Sequence, residues 1–283
     1  MASIATGNKN TLGIAEAVAA QRRLTSRDIE LLKLLTTHRV LTSLQIARLL
    51  FASDNVARKR LAKLTDRAIV SRFRICPGPG SVPWRYTLGP LGAMITAATA
   101  GHDLPSPRRT AERVLRLSRS IHLDHQLGIN EFFSLLAAHA RDNPDCQLQA
   151  WLDEREATHR CAAIARPDAY GEWVEDGDTV AFFLEFDNGT ERLTDVAAKL
   201  IGYHELANAG RALPVLFVFT GPRRRTEFHH LISTSSTDTG PIIATTTTAD
   251  THAIGPAGPI WLPAGHQHRQ RLIALTRPPR LTA

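Results

Sequence analysis

Three carboxylates in the second half of the chain have the residue types and spacing that metal-assisted phosphodiester chemistry uses. Asp168 follows a proline in RPDA, and seventeen residues later the run TVAFFLEFD carries Glu185 and Asp187. Two apart in a strand, these side chains share one face. Gathered at one sheet edge, Asp168, Glu185 and Asp187 would offer hard oxygen ligands to Mg2+ or Mn2+, which would activate water or stabilise a leaving oxygen. Lys199 is the only lysine after Lys63 in a chain that otherwise uses arginine. A partly buried amine can lose its proton where a guanidinium cannot, so Lys199 joins the set as a candidate catalytic group. Glu191, Asp195, Lys199 and Tyr203 recur every four residues, a helical stripe able to aim Lys199 and Tyr203 at the carboxylates. The same spacing also fits an ordinary surface ion pair between Asp195 and Lys199. Arginines could equally take Glu185 and Asp187 for structural reasons.

A second group of residues offers charge instead of reactivity. Residues 1–100 hold 15 Lys and Arg against 5 Asp and Glu, while residues 101–283 hold 19 against 22. A concentrated basic module seeks a polyanion, because displacing counterions from phosphates favours association; the plainer alternative is a solubilising surface. Within NVARKRLAKLTDRAIV, Val56, Leu61, Leu64 and Ile69 fall on an inward face and leave Arg58, Lys59, Arg60 and Lys63 outside. Arg72, Arg74 and Arg85 lie on two later strand-like runs.

The elements that carry these cations follow from local chemistry. Thr25 or Ser26 caps a helix with Ile29, Leu31, Leu32, Leu34 and Leu35 on one face, and a hydroxyl near Thr42 starts SLQIARLLF. The basic segment makes a third helix. VSRFRI and WRYTLG alternate as strands around the CPGPGSVP turn, and Gly101 ends a closing helix. Two short helices, a basic third and a hairpin wing predict a winged helix-turn-helix domain over 24–100, behind a flexible tail at 1–23. Trp84 and Tyr86 are expected to pack the wing onto the helices, the alternative being contact with sugar and phosphate.

The run from LTSRDIELLKLLTTHRVLTSLQIARLLF through RKRLAKLTDRAIVSRF to WRYTLGPLG, together with FFLEFDNGTERLTDVAAKLIGY further on, resembles the replication-relaxation family of actinobacterial proteins. That resemblance spans most of residues 24–207 and implies a DNA-processing role in plasmid replication, relaxation or mobilisation. It also invites Tyr203 as a relaxase-like nucleophile forming a phosphotyrosyl link, with Tyr170 an equal candidate and a half-buried aromatic explaining either.

GHDLPSPRRT predicts a linker at 101–111. Residues 112–142 read as one helix, and CQLQAWL, TVAFFLEFD and PVLFVFT alternate with helices, which argues an α/β domain over 112–235. The order P-D and then a strand E-x-D is similar to the restriction-endonuclease-like pattern. Its usual E-x-K departs here to Asp187, so the lysine would have to be Lys199. RRR at 223–225 is a further candidate for backbone contact. From 236 the Thr, Gly and Pro content predicts a loosely ordered extension to 283, with WLP as its one candidate edge strand.

Cys76, Cys146 and Cys161 stand too far apart for a disulfide framework or a zinc knuckle, and the histidines, His122 and His125 included, form no metal motif. No apolar run is membrane-length and no signal peptide is expected, which predicts a cytoplasmic protein. The expectation is a plasmid or mobile-element protein that binds double-stranded DNA and acts in replication, relaxation or mobilisation, with metal-dependent nicking, and single-stranded DNA at the nick, as its candidate chemistry. The alternative is a non-catalytic regulator or initiator whose α/β domain makes protein contacts.

Overall fold

The computed structural model describes residues 2–5, 13–75, 82–233 and 240–276. The chain is mixed α/β and divides into two compact units, Met1–Asn130 and Glu131–Ala283.

In the first unit α2 (Ser26–Thr37) and α3 (Ser43–Leu50) each begin with a capping box, Thr25 with Asp28 and Thr42 with Gln45. Each box satisfies amide groups that a helix start would otherwise leave unpaired. α4 (Asp54–Asp66) starts at Ser53, whose side chain accepts from the Val56 amide. It buries Ala57, Leu61 and Leu64; Val56, expected inside, is exposed because Ala57 takes the inward position. β3 (Val70–Ile75) and β4 (Arg85–Leu88) pair antiparallel, Val70 opposite Leu88, and β2 (Leu41–Thr42) pairs with β4. The hairpin tip at 76–81, with Cys76, lies outside the described residues. α5 (Pro90–Thr99) runs close under β3: a Cβ on Gly92 would stand 2.1 Å from the Ile69 carbonyl oxygen, which only glycine avoids.

Three boundaries differ from the sequence reading. The expected flexible tail contributes β1 (Ala2–Ala5), which pairs with the edge of β3, and α1 (Ile14–Gln21), which packs on α5. An unpaired strand edge is a ready acceptor for such a segment. The expected linker already enters α6 (Pro107–Ser118), because proline at the first helical position gives up no needed amide and Ser106 supplies the cap. Finally, the single helix predicted over 112–142 is two, α6 and α7 (Leu123–Asp142), with Ile121 85% exposed at the break. Val114 and Leu123 join Phe73 and Val40 in a small core. The division between the units falls within α7.

The second unit is built on a six-stranded sheet in the order β10-β9-β8-β7-β6-β5. After α7 come β5 (Cys146–Asp153), α8 (Glu154–Arg160), β6 (Ala169–Glu175) and β7 (Asp178–Asp187), an antiparallel meander. β6 escaped the sequence reading because Gly171 and two glutamates interrupt its apolar pattern. Asp176 and Gly177, both at positive φ, form the two-residue turn into β7. α9 (Leu193–Ala198) and α10 (Leu200–Asn208) lead to β8 (Val215–Phe219), parallel to β7. α11 (Pro222–Ser233) follows on the same face as α9 and α10. At the other face Phe133 of α7 stacks on Phe182 and Phe132 meets the same ring edge-on.

The loosely ordered extension expected from residue 236 is corrected by the residues described there. β9 (Ile243–Thr247) is fully buried and parallel to β8, α12 (Thr248–Ala253) is capped by Thr247, and β10 (Leu262–Pro263) closes the sheet. Threonine is β-branched and suits a pleated, buried surface, so the TTTT run marks a strand end and a helix cap where composition suggested a tail. Residues 234–239 and 277–283 of that extension lie outside the described residues.

Candidate functional site

α4 sorts its four expected DNA-contacting cations into two groups. Arg58, Lys59 and Lys63 are exposed. Arg60 instead turns toward α2: its Nε donates to Asp28 Oδ1 at 2.8 Å and its Nη2 to Oδ2. Asp28 is 1% exposed and also accepts from the Thr25 amide at 2.7 Å and the Thr25 hydroxyl at 2.8 Å. Burial works to raise the Asp28 pKa, but these donors outweigh it and the carboxyl is held below its ordinary value. Arg60 therefore fastens α4 to α2 and leaves the outward work to its neighbours.

On the strands, Arg72 and Arg74 both stack on Trp84, their guanidinium carbons 4.4 and 4.6 Å from the ring centroid. Cation–π attraction fixes both side chains. Tyr86 is buried, as its packing role required. Arg85 is 14% exposed and ion-paired with Asp124 at 3.3 Å, so it is held inward.

In the second unit the antiparallel register sets Ala169 opposite Leu184 and so brings Asp168, at the head of β6, beside the end of β7. Asp168 Oδ2 accepts from the Phe186 amide at 2.8 Å. Glu185, 2% exposed, accepts from Lys199 Nζ at 2.9 Å on Oε2 and from the Tyr203 hydroxyl at 2.5 Å on Oε1. Glu185, Lys199 and Tyr203 are thus bonded together, with Asp168 within electrostatic reach of Lys199. Gly202 makes this grouping reachable: a Cβ there would stand 2.7 Å from the Ile164 carbonyl oxygen, so glycine lets α10 settle against the turn before β6.

The remaining parts of that prediction change. Asp187 is withdrawn from the group, accepting from Arg224 Nε at 2.7 Å and the Gly189 amide at 2.6 Å. Arg224, in the RRR segment, is consequently an internal partner, while Arg223 pairs with Glu227 at 2.8 Å. The continuous stripe is broken, since Glu191 precedes α9 and Lys199 is the junction between α9 and α10. Lys199 approaches Glu191 at 3.9 Å; Asp195 is exposed.

Electrostatics also redirects the expected roles. Burial works against the Lys199 charge, but attraction to Glu185 and Asp168 outweighs it, so the amine's pKa is raised and it stays an ammonium. The expected neutral amine is corrected: a buried carboxylate faces it. Burial, then repulsion from Asp168, raises the Glu185 pKa, with Lys199 and Tyr203 opposing. Since both Glu185 oxygens accept, the geometry suits a carboxylate beside an ammonium. Burial and then the Glu185 charge raise the Tyr203 pKa, which keeps the phenol a proton donor. Tyr170 is similarly engaged, donating to Glu172 beneath Arg160.

Among the described residues no group of three or more His, Cys, Asp or Glu side chains is arranged to hold a metal ion. Both oxygens of Glu185 and both of Asp187 already accept hydrogen bonds, so this arrangement does not fit a Mg2+ or Mn2+ centre. Cys146 and Cys161 are free thiols, and burial raises the pKa of Cys161 to about 11. No helix among the described residues is long and apolar enough to cross a membrane.

Together the features define a two-unit α/β protein with an outward basic helix in one unit and a closed carboxylate cluster in the other. The chain belongs to the replication-relaxation family, which it matches over residues 32–220, from within α2 to the residue after β8. Family membership points to a role in the replication or relaxation of plasmid or mobile-element DNA. No curated protein and no solved structure matches the chain.

Proposed function

We propose that the protein binds double-stranded DNA in the cytoplasm through a winged helix-turn-helix in its first unit, and that it does so in plasmid or mobile-element replication, relaxation or mobilisation. One observation carries this reading: Arg58, Lys59 and Lys63 face solvent on α4 while Arg60 of the same helix is bonded to buried Asp28. α4 is the third helix of the α2–α3–α4 series and precedes a hairpin, the order in which such a helix enters the major groove. Arg72 and Arg74, ordered on Trp84, are the wing's phosphate contacts. Fluorescence anisotropy with an origin-bearing duplex tests it. The expected result is tight binding that weakens steeply with salt; salt-insensitive or absent binding overturns it.

Metal-dependent nicking by a restriction-endonuclease-like second unit is the second reading. It is favoured by the order α7, β5, β6, β7, α9–α10, β8, which places Asp168 ahead of β6 and Glu185 near the end of β7, with Lys199 on Glu185. It stands second because the oxygens a metal needs are already taken. A non-cleaving unit that contacts partner proteins fits the closed cluster better. Supercoiled plasmid carrying the cognate origin is therefore expected to stay closed with Mg2+ or Mn2+. Open circles that vanish in an Asp168→Ala plus Glu185→Ala variant would reverse the ranking.

A further inference from the structure

The first unit carries a second row of cations, away from the sequence of α4. α6 buries Thr110, Val114 and Ser118, while Arg109, Arg113 and Arg116 are exposed at i, i+4 and i+7 and so share one side of the helix. Among the described residues none of these three forms an ion pair, whereas Arg108 pairs with Glu112 at 3.0 Å. Arg39 adds a fourth charge. Its side chain is exposed, and its repulsion, after burial and ahead of that of Arg116, helps lower the Arg113 pKa, which places the two guanidinium groups within electrostatic reach.

Arg39 also holds a costly backbone conformation, φ 66°, where a side chain meets its own carbonyl. Neighbouring bonds fix it there: Thr87 Oγ1 donates to the Arg39 carbonyl at 2.7 Å and Asn130 Nδ2 to the Val40 carbonyl at 2.6 Å. Like charges gathered on a strained turn and a helix repel one another, so the cluster favours an anion supplied from outside. Guanidinium forks match phosphate oxygens better than they match any single-point acceptor. Seven residues of helix rise about 10 Å, close to the axial rise of three base pairs of duplex DNA.

We propose that Arg39, Arg109, Arg113 and Arg116 form a second phosphate-contacting surface for duplex DNA, additional to that of α4. It rests on the reading of the first unit as a DNA-binding module. The test uses the full chain and a random-sequence duplex of about 40 base pairs, and reads the slope of log affinity against log salt, to which each neutralised phosphate adds about 0.9. An Arg109→Gln, Arg113→Gln, Arg116→Gln variant should flatten that slope by roughly 2 to 3 and lose at least about tenfold in affinity at low salt. The corresponding triple lysine variant should recover most of the slope, which separates lost charge from lost folding. An unchanged slope in the glutamine variant, with binding still abolished by charge reversal on α4, overturns the second surface and leaves the DNA-binding reading intact. Unchanged binding in both variants overturns both.

Discussion

The outward face of α4 and the cluster around Glu185 are both rich in charge, but they stand in opposite states. Arg58, Lys59 and Lys63 face solvent, whereas Glu185 and Asp187 are buried with each oxygen occupied. Exposed cations keep their hydration until a polyanion displaces it, at little cost to the fold. Buried charges must be neutralised at once by side chains of their own unit, because desolvation would otherwise destabilise it by several kcal/mol. The first arrangement is poised for a ligand; the second already has its partners. Charge density alone therefore does not identify a site, and the disposition of partners does.

The strongest way to break the contrast is to reverse Arg58, Lys59 and Lys63 to Glu. Duplex binding should fall roughly 1,000-fold or more with an unchanged unfolding midpoint; retained binding in a gel shift would remove α4 from the interface. Arg60→Met should do the reverse. It leaves Asp28 buried without its guanidinium and should cost about 3 kcal/mol in urea unfolding, while DNA affinity of the folded protein changes little. Lys199→Met probes the second unit. Removing the ammonium from Glu185 should cost about 2 kcal/mol, discounted because Lys199 is one-third exposed, and Lys199→Met with Glu185→Gln should restore part of it. Equal stability of the single variant and the natural chain would show that the ion pair carries no stability.

A last expected effect, of the same order as that at Lys199, is a pH dependence at His38, which is buried at the end of α2 and whose pKa burial lowers to about 3 from the ordinary 6.5. Between these values the unfolded chain binds the proton and the folded chain does not. Stability is thus fully present above about pH 6.5 and is lost as pH falls below it, by up to about 1.4 kcal/mol per pH unit. His38→Gln should flatten unfolding midpoints measured between pH 6.5 and 5. An equally steep slope in the variant would place the proton elsewhere.

Much of the first unit was legible because its signals are local. Thr25 and Thr42 announce helix starts through side chains three residues away, and the mixed apolar and polar run VSRFRI coincides with β3. The four-residue spacing of Lys199 and Tyr203 was legible as aiming both at a carboxylate, and Glu185 receives both, whereas the expected place of Asp187 beside Glu185 was not kept. What escaped depends on partners distant in sequence. Nothing near Arg60 tells that Asp28 awaits it 32 residues earlier, and nothing near Asp187 names Arg224 among three adjacent arginines. α6 was hidden by its prolines, which read as linker until Ser106 is seen to cap a helix. β9 was hidden by threonine, which serves loops and buried strands alike.

That β9 lies inside the sheet, between β8 and β10, sets a timetable for synthesis. The first unit has all its residues once the ribosome passes 130, but β8, paired with β7 on one side, lacks its second neighbour until 247 has been made, more than a hundred residues after the first unit ends. At about 5 to 20 residues per second, that interval lasts roughly 6 to 23 s, during which a nascent chain carries one complete unit and a second whose sheet is unfinished. A message cut short before codon 243 would release a product in that half-built state, with the edge of β8 open and prone to clump.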